Sequence, residues 1–222
     1  MIARIRSVLA LSVTLVLLSG CTLLPERPTK STFMLTNPDL SPKEQPPLPL
    51  TLRVLTPQAE SPHNGASVLV NPEGEIIQAY GGARWVKPVP VLIRDHWVEG
   101  LRQSGFLKAV VSETSDARSD LSLASDLTRF QLRYDQGEPI IVIQLDAQLL
   151  ESNSRQVLAS KRFEVIHSVV DKPVESVIAG FGAASQIATE DLVAWLGSVS
   201  LGFHAGKDPA RPPSDTESST RK

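Results

Sequence analysis

From Asp120 to His167 the chain carries three successive stretches in which every second residue is apolar, and that period of two belongs to strands with one buried face. The first runs through Leu121 and Leu123, then resumes on Phe130, Leu132 and Tyr134. Its phase flips between the two sets, which predicts a bulge near Ser125–Thr128, since one extra residue re-aims every side chain beyond it. The second keeps Ile141, Ile143, Leu145, Ala147 and Leu149 on one face, and the third does the same with Val157, Ala159, Phe163 and Val165. Turns at 135–139 and 151–155 separate them, so an antiparallel meander is expected. Three long half-apolar strands need a partner layer to cover their apolar face.

Two stretches have the period to supply it. Val89, Leu92, Ile93, His96, Trp97, Gly100 and Leu101 recur at three- and four-residue steps, giving a helix from about Val89 to Ser104. Pro88 and Pro90 suit its first turn, and Gly105 its C-terminal cap. A second stripe, Val174, Val177, Ile178, Phe181, Ala184, Ile187, Ala188, Leu192, Trp195 and Leu196, predicts a final helix starting at Pro173. Ahead of the first helix, Leu50, Leu52 and Val54 alternate as a strand. Ser67–Val70 and Glu75–Tyr80 flank a Pro-Glu-Gly turn as a hairpin, which Gly81-Gly82 is expected to end. Phe106–Val111 is a further strand. The expected fold class is α+β, a mixed, mainly antiparallel sheet with two helices packed on one face.

The N-terminus is of another kind. Arg4 and Arg6 lead into an apolar run from Val8 to Leu18 and then to Leu18-Ser19-Gly20-Cys21. A basic start, a short apolar core and a small-residue site mark a secretory signal peptide. The run is too short for a transmembrane helix, which needs about 20 apolar residues. Its ending resembles the bacterial lipobox, which implies cleavage before Cys21, a diacylglycerol thioether on the sulfur and an acyl chain on the new amine. Cys21 is the only cysteine, so disulfides cannot hold the fold together. The expected organisation is a signal peptide over 1–20, a lipidated cysteine and Pro-rich linker over 21–49, a folded domain over 50–200 and a disordered tail over 201–222. Within the linker, Ser31–Leu35 alternates weakly and is a candidate edge strand.

Charge and motifs narrow the function. The formal charge is −2, with 22 basic and 24 acidic residues, and no Lys/Arg cluster asks for nucleic acid. His63, His96, His167 and His204 lie far apart without ligand spacing, so no metal site is expected. A Gly-x-Ser-x-Gly nucleophile elbow is missing. Gly180-Phe181-Gly182 matches part of a dinucleotide fingerprint, but it lies inside the last helix with Ser185 at the third glycine position, and close packing explains it better. Asp95 and Glu99 read as a solvated helix face beside Arg94 and Arg102. The chain is therefore expected not to be an enzyme and to need no cofactor beyond the lipid on Cys21.

Tyr80, Arg84-Trp85, Pro88 and Leu92, with the Leu101–Phe106 helix-to-strand step, resemble the ABC-type transport auxiliary lipoprotein family, which includes PqiC-like intermembrane transport lipoproteins. The strand ending in Phe130, the two long strands and the helix ending in Trp195-Leu196 fit as well. The resemblance covers roughly Phe33 to Val199. It implies a non-catalytic lipoprotein on the periplasmic face of the outer membrane of a Gram-negative bacterium. It further implies work with an MCE-type tunnel protein in phospholipid transport and envelope integrity, and a homo-oligomeric ring. Thr22, where an inner-membrane retention signal would be Asp, agrees with outer-membrane sorting. Trp85, Tyr80 and Arg84 are candidate interface residues, because Trp is enriched as an anchor; packing over the hairpin is the alternative for Trp85. A structural envelope lipoprotein that binds some other partner is the competing function.

Overall fold

A computed structural model describes residues 30–42, 46–170 and 173–206. The expectations for the signal peptide, the lipobox and the tail beyond 206 lie outside these residues. In chain order the strands are β1 (Ser31–Phe33), β2 (Leu48–Val54), β3 (Ser67–Asn71) and β4 (Gln78–Trp85). Helix α1 (Val89–Gln103) follows, then β5 (Leu107–Ser112), β6 (Leu121–Asp135), β7 (Glu138–Glu151), β8 (Val157–Ser168) and helix α2 (Val174–Gly206). The α+β class and the element order agree with the sequence.

All eight strands join one mixed sheet. The long meander forms as expected, β6 pairing antiparallel with β7 and β7 with β8. Its bulge is where the phase flips: Leu127 faces Leu145 and Arg129 faces Gln144, so Thr128 is the extra residue. This keeps Leu123 and Leu127 before it, and Phe130 and Leu132 after it, in the same core.

The remaining topology departs from "mainly antiparallel". Antiparallel ladders are the longest, but four of the seven pairings are parallel: β1 with β4, β2 with β5, β2 with β6 and β3 with β6. One edge of β6 is taken by β7, and the other is shared. β2 meets Leu121–Leu123 and β3 meets Leu132–Arg133. Neighbours this distant in sequence need crossovers, and here α1 and the long loops supply them. Gly81-Gly82 do not end the hairpin. They lie within β4 at a register shift, and the strand continues to Trp85 because β1 pairs with its last three residues.

Every residue of the α1 stripe is buried. The α2 stripe is buried at Val177, Phe181, Ala184, Ala188, Leu192 and Leu196, whereas Ile187 at its margin is exposed. Both helices cover the apolar face of the sheet and share one core with it. Gly105 has φ +65° and closes α1 as expected. The last helix runs to Gly206, past the expected end of the folded part.

Deletion of Thr128 would leave Leu127 opposite Leu145 and Arg129 opposite Gln144 with the alternation unbroken, so it should keep cooperative urea unfolding. One alanine inserted after Gln131, which turns Leu132 and Tyr134 to the other face, should abolish it. Thr128→Ala keeps the bulge and should shift stability by no more than about 0.5 kcal/mol, the range of an exposed substitution.

Candidate functional site

The candidate interface residues share β4 but not an environment. Trp85 is fully buried. Its ring meets Phe130 edge-on at 5.9 Å and Phe181 at 5.3 Å, and those two rings stack at 4.7 Å. The sheet, its hairpin and α2 therefore lock on one aromatic trio. Of the two roles open to Trp85 the structure gives core packing, because the indole presents no surface to a partner. Arg84 next to it is exposed, as alternation along a strand requires. Tyr80 is half-buried near Tyr134 and Glu175. Burial, then the charges of those two neighbours, raises its phenol above the usual value.

The residues weighed for chemistry are engaged structurally. Asp95 takes Lys87 at 2.8 Å and Arg94 at 2.7 Å. Partial burial pushes its carboxyl up, but the hydrogen bonds and charges of Lys87 and Arg94 prevail and hold it below the ordinary range. A general acid needs the opposite shift. Glu99 accepts from Gln103 Nε2 at 3.0 Å, and His63 pairs with Gln131 at 3.0 Å. Among the described residues no three His, Cys, Asp or Glu converge as a metal site, and no helix is long and apolar enough to cross a membrane.

The site that sequence reasoning underrated is the stretch after β1. Residues 35–40 do not run free as linker; they lie as a strap against α1 and α2. Leu35 and Pro38 are buried. Gln186 on α2 clasps the Asp39 backbone at both ends, accepting from its N–H at 2.9 Å and donating to its carbonyl at 2.8 Å. Gln103 on α1 accepts the Leu40 N–H at 3.1 Å. Small residues make the approach possible. A Cβ on Gly182 would stand 2.9 Å from Thr36 Oγ1, and one on Gly100 would stand 2.4 Å from Thr189 Cγ2 and 3.3 Å from Leu40 Cδ1. Gly180 likewise sits on Val169 and Ile141. The Gly-Phe-Gly run is thus a packing device, as its position inside a helix suggested.

His96 belongs to this layer. Its Nδ1 is 2.9 Å from Thr189 Oγ1, and that hydroxyl donates onward to the Ser185 carbonyl, so Nδ1 carries the proton in the neutral ring. Burial lowers its pKa to about 4, with the Thr36 backbone acting weakly upward. What could have revealed the strap is Leu35 and Pro38 within an otherwise polar stretch, but apolar residues that sparse show no period.

The body just described has relatives. A family model described as "ABC-type transport auxiliary lipoprotein component" matches residues 33–193, beginning at the last residue of β1 and including the strap. The crystal structure of protein XCC0632 from Xanthomonas campestris, assigned to DUF330, superposes with a TM-score of 0.73 at 28% identity, covering 79% of this chain and 99% of that one. A second crystal structure, of an uncharacterized protein, shares the fold with a TM-score of 0.60 at 16% identity, over 76% of this chain and 99% of that one. None of the curated proteins compared is a significant match.

Two outcomes test this layer. The unfolded His96 titrates near 6.5 and the folded one near 4, so between these values only the unfolded chain binds the proton and stability falls as pH falls. Urea titrations should lose about 3 kcal/mol across that window at 1.36 kcal/mol per unit, and His96→Gln should flatten the slope. For the strap, Gln186→Ala should speed amide hydrogen exchange at Asp39 by about fivefold, the worth of roughly 1 kcal/mol for one hydrogen bond. The Gly182→Val variant, which drives a side chain into Thr36, should speed it at Leu40 as well.

Proposed function

The chain belongs to the ABC-type transport auxiliary lipoprotein family, and we propose that it is the outer-membrane-anchored, non-catalytic component of an MCE-type phospholipid transport system. The observation that carries this reading is the family match over residues 33–193, which starts twelve residues after the cysteine of a lipobox-like Leu-Ser-Gly-Cys. In this reading Cys21 carries the lipid. Thr22 leaves outer-membrane sorting as the default, and the folded body meets a tunnel protein from the periplasmic side. A homo-oligomeric ring would give such a body the symmetry to cap a tunnel.

Two physical features support a binding role over a catalytic one. Of the carboxylates weighed for catalysis, Asp95 is paired with Lys87 and Arg94 and Glu99 accepts a hydrogen bond from Gln103, and the centre of the body is a packed aromatic core. A component that works by docking needs a stiff body at a fixed place, and a long two-sided sheet with an internally strapped tether supplies both.

The reading is tested in cells. Wild-type protein should take up labelled palmitate and be crosslinked to an MCE-domain protein in membranes. Cys21→Ala should lose the label, leave the membrane fraction and reproduce the altered phospholipid distribution of a deletion strain. Retention of palmitate by Cys21→Ala, or a deletion strain with normal phospholipid distribution, would overturn it.

A further inference from the structure

The sheet register shows in which direction the chain enters the body at Ser31. β1 is parallel to β4, with Ser31 opposite Ala83 and Phe33 opposite Trp85. β4 is antiparallel to β3, and β3 is parallel to β6. The chain therefore enters β1 travelling against β6, from the end of the molecule where β6 finishes. That end gathers the β3–β4 turn, the β6–β7 turn and the approach to α2, since Asn71 pairs with Arg133 and the Val169 N–H donates to the Pro139 carbonyl at 2.9 Å.

Large apolar side chains are exposed at this same end. Ile76 is 55% exposed and Ile77 38%, both in the β3–β4 turn, and Val170 is 95% exposed beside the β6–β7 turn. Half-buried Tyr80 and Tyr134 stand behind them. The opposite end carries fewer exposed apolar side chains. There the loop over residues 113–118 is polar, held by the Arg53 guanidinium, which donates to the carbonyls of Ser112, Glu113, Ser115 and Ala117. None of the loop's residues is a large exposed hydrophobic, and the one at this end among the described residues is Val157, 47% exposed at the start of β8.

We propose that the end formed by Ile76, Ile77 and Val170 rests on the lipid surface to which Cys21 is anchored, as a shallow apolar contact that fixes the orientation of the body. This rests on the lipoprotein reading. Ten residue steps separate Cys21 from Ser31, a span of at most about 36 Å when fully extended. β1 crosses the sheet roughly level with Arg129, so the polar end, at Leu121, lies about 25 Å further on in the direction away from the incoming chain. Both ends lie within that span, and the apolar end is the nearer, about 17 Å from Ser31 at Asp135 on the side from which β1 starts. The strap matters here, because its clasp on α1 and α2 holds back the residues after β1 that would otherwise lengthen the tether. A contact too small to bind a free protein is populated once a tether raises its effective concentration. Glu73, Glu75, Asp135 and Glu138 in the two turns make the surface acidic, so the lipid it fits is zwitterionic rather than anionic.

The test uses the full lipidated chain in phosphatidylethanolamine–phosphatidylcholine vesicles. Cys21 is consumed by its lipid, so an introduced cysteine is the single labelling site. An environment-sensitive dye at Ile76→Cys should emit blue-shifted and be quenched severalfold more by shallow spin-labelled lipid than the same dye at Ser115→Cys. With the dye at Val170→Cys, adding Ile77→Glu should abolish the quenching while the protein still floats with the vesicles. Equal quenching at the two ends, or none at Ile76, overturns the proposal. So does a blue shift at Ile76 that depends on protein concentration without lipid quenching, which would assign this end to a second copy. If the protein neither floats nor carries palmitate, the lipoprotein reading has failed instead.

Discussion

The fold depends on β6 being paired along both edges by three different strands. β7 follows it for its whole length, while β2 holds its beginning and β3 its end. Edge strands left open invite pairing with other chains, and here the edge of β6 away from β7 is held at its start by β2, at its end by β3 and between them by the Gln58–Asp126 bridge. This arrangement also forces the first half of the chain to interleave with the second, so neither half is a separate sheet. The bulge at Thr128 keeps one apolar face in register through both shared segments.

Above that face, the helix layer is fixed by contact distance. Gly100 against Thr189, Gly182 against Thr36 and Gly180 against Ile141 leave no room for a Cβ without displacement. Interiors packed this closely tolerate added volume poorly. The layer is thus complete only with the strap in place, and the segment after β1 is part of the fold. His96, neutral and buried beside it, makes the same layer sensitive to acid. Separate from it, the ion pairs of Asp95, Glu113 and Asp146 lose strength only when those carboxylates, all held below their ordinary range, take up protons at lower pH.

A family of transport auxiliary lipoproteins gives this architecture a purpose. In the proposed role such a component would present a surface rather than perform chemistry, and the sheet paired along β6 with the strap on both helices would hold that surface in place.

Much of this was legible in the residues. Period-two and period-3.6 patterns located the three long strands, both helices and the bulge, because burial of one face is a local property written along the chain. Gly105 and the small residues of α2 could be read for the same reason. The parallel pairings of β6 with β2 and β3 could not, since pairing across some 60–70 residues depends on which edges meet in space and leaves no periodic trace. The role of Trp85 needed the tertiary structure as well: a tryptophan in a strand suits a core or an interface equally, and only the positions of Phe130 and Phe181 decide. The strap was hidden for a related reason. Its affinity for the helices resides in backbone groups, which every residue possesses, and in glycines that matter only for what lies against them. The sequence alone determined the elements, the lack of disulfides and a Leu-Ser-Gly-Cys that resembles a lipobox; the neighbours of each element were decided in three dimensions, where non-local packing selects among pairings that local pattern leaves equivalent.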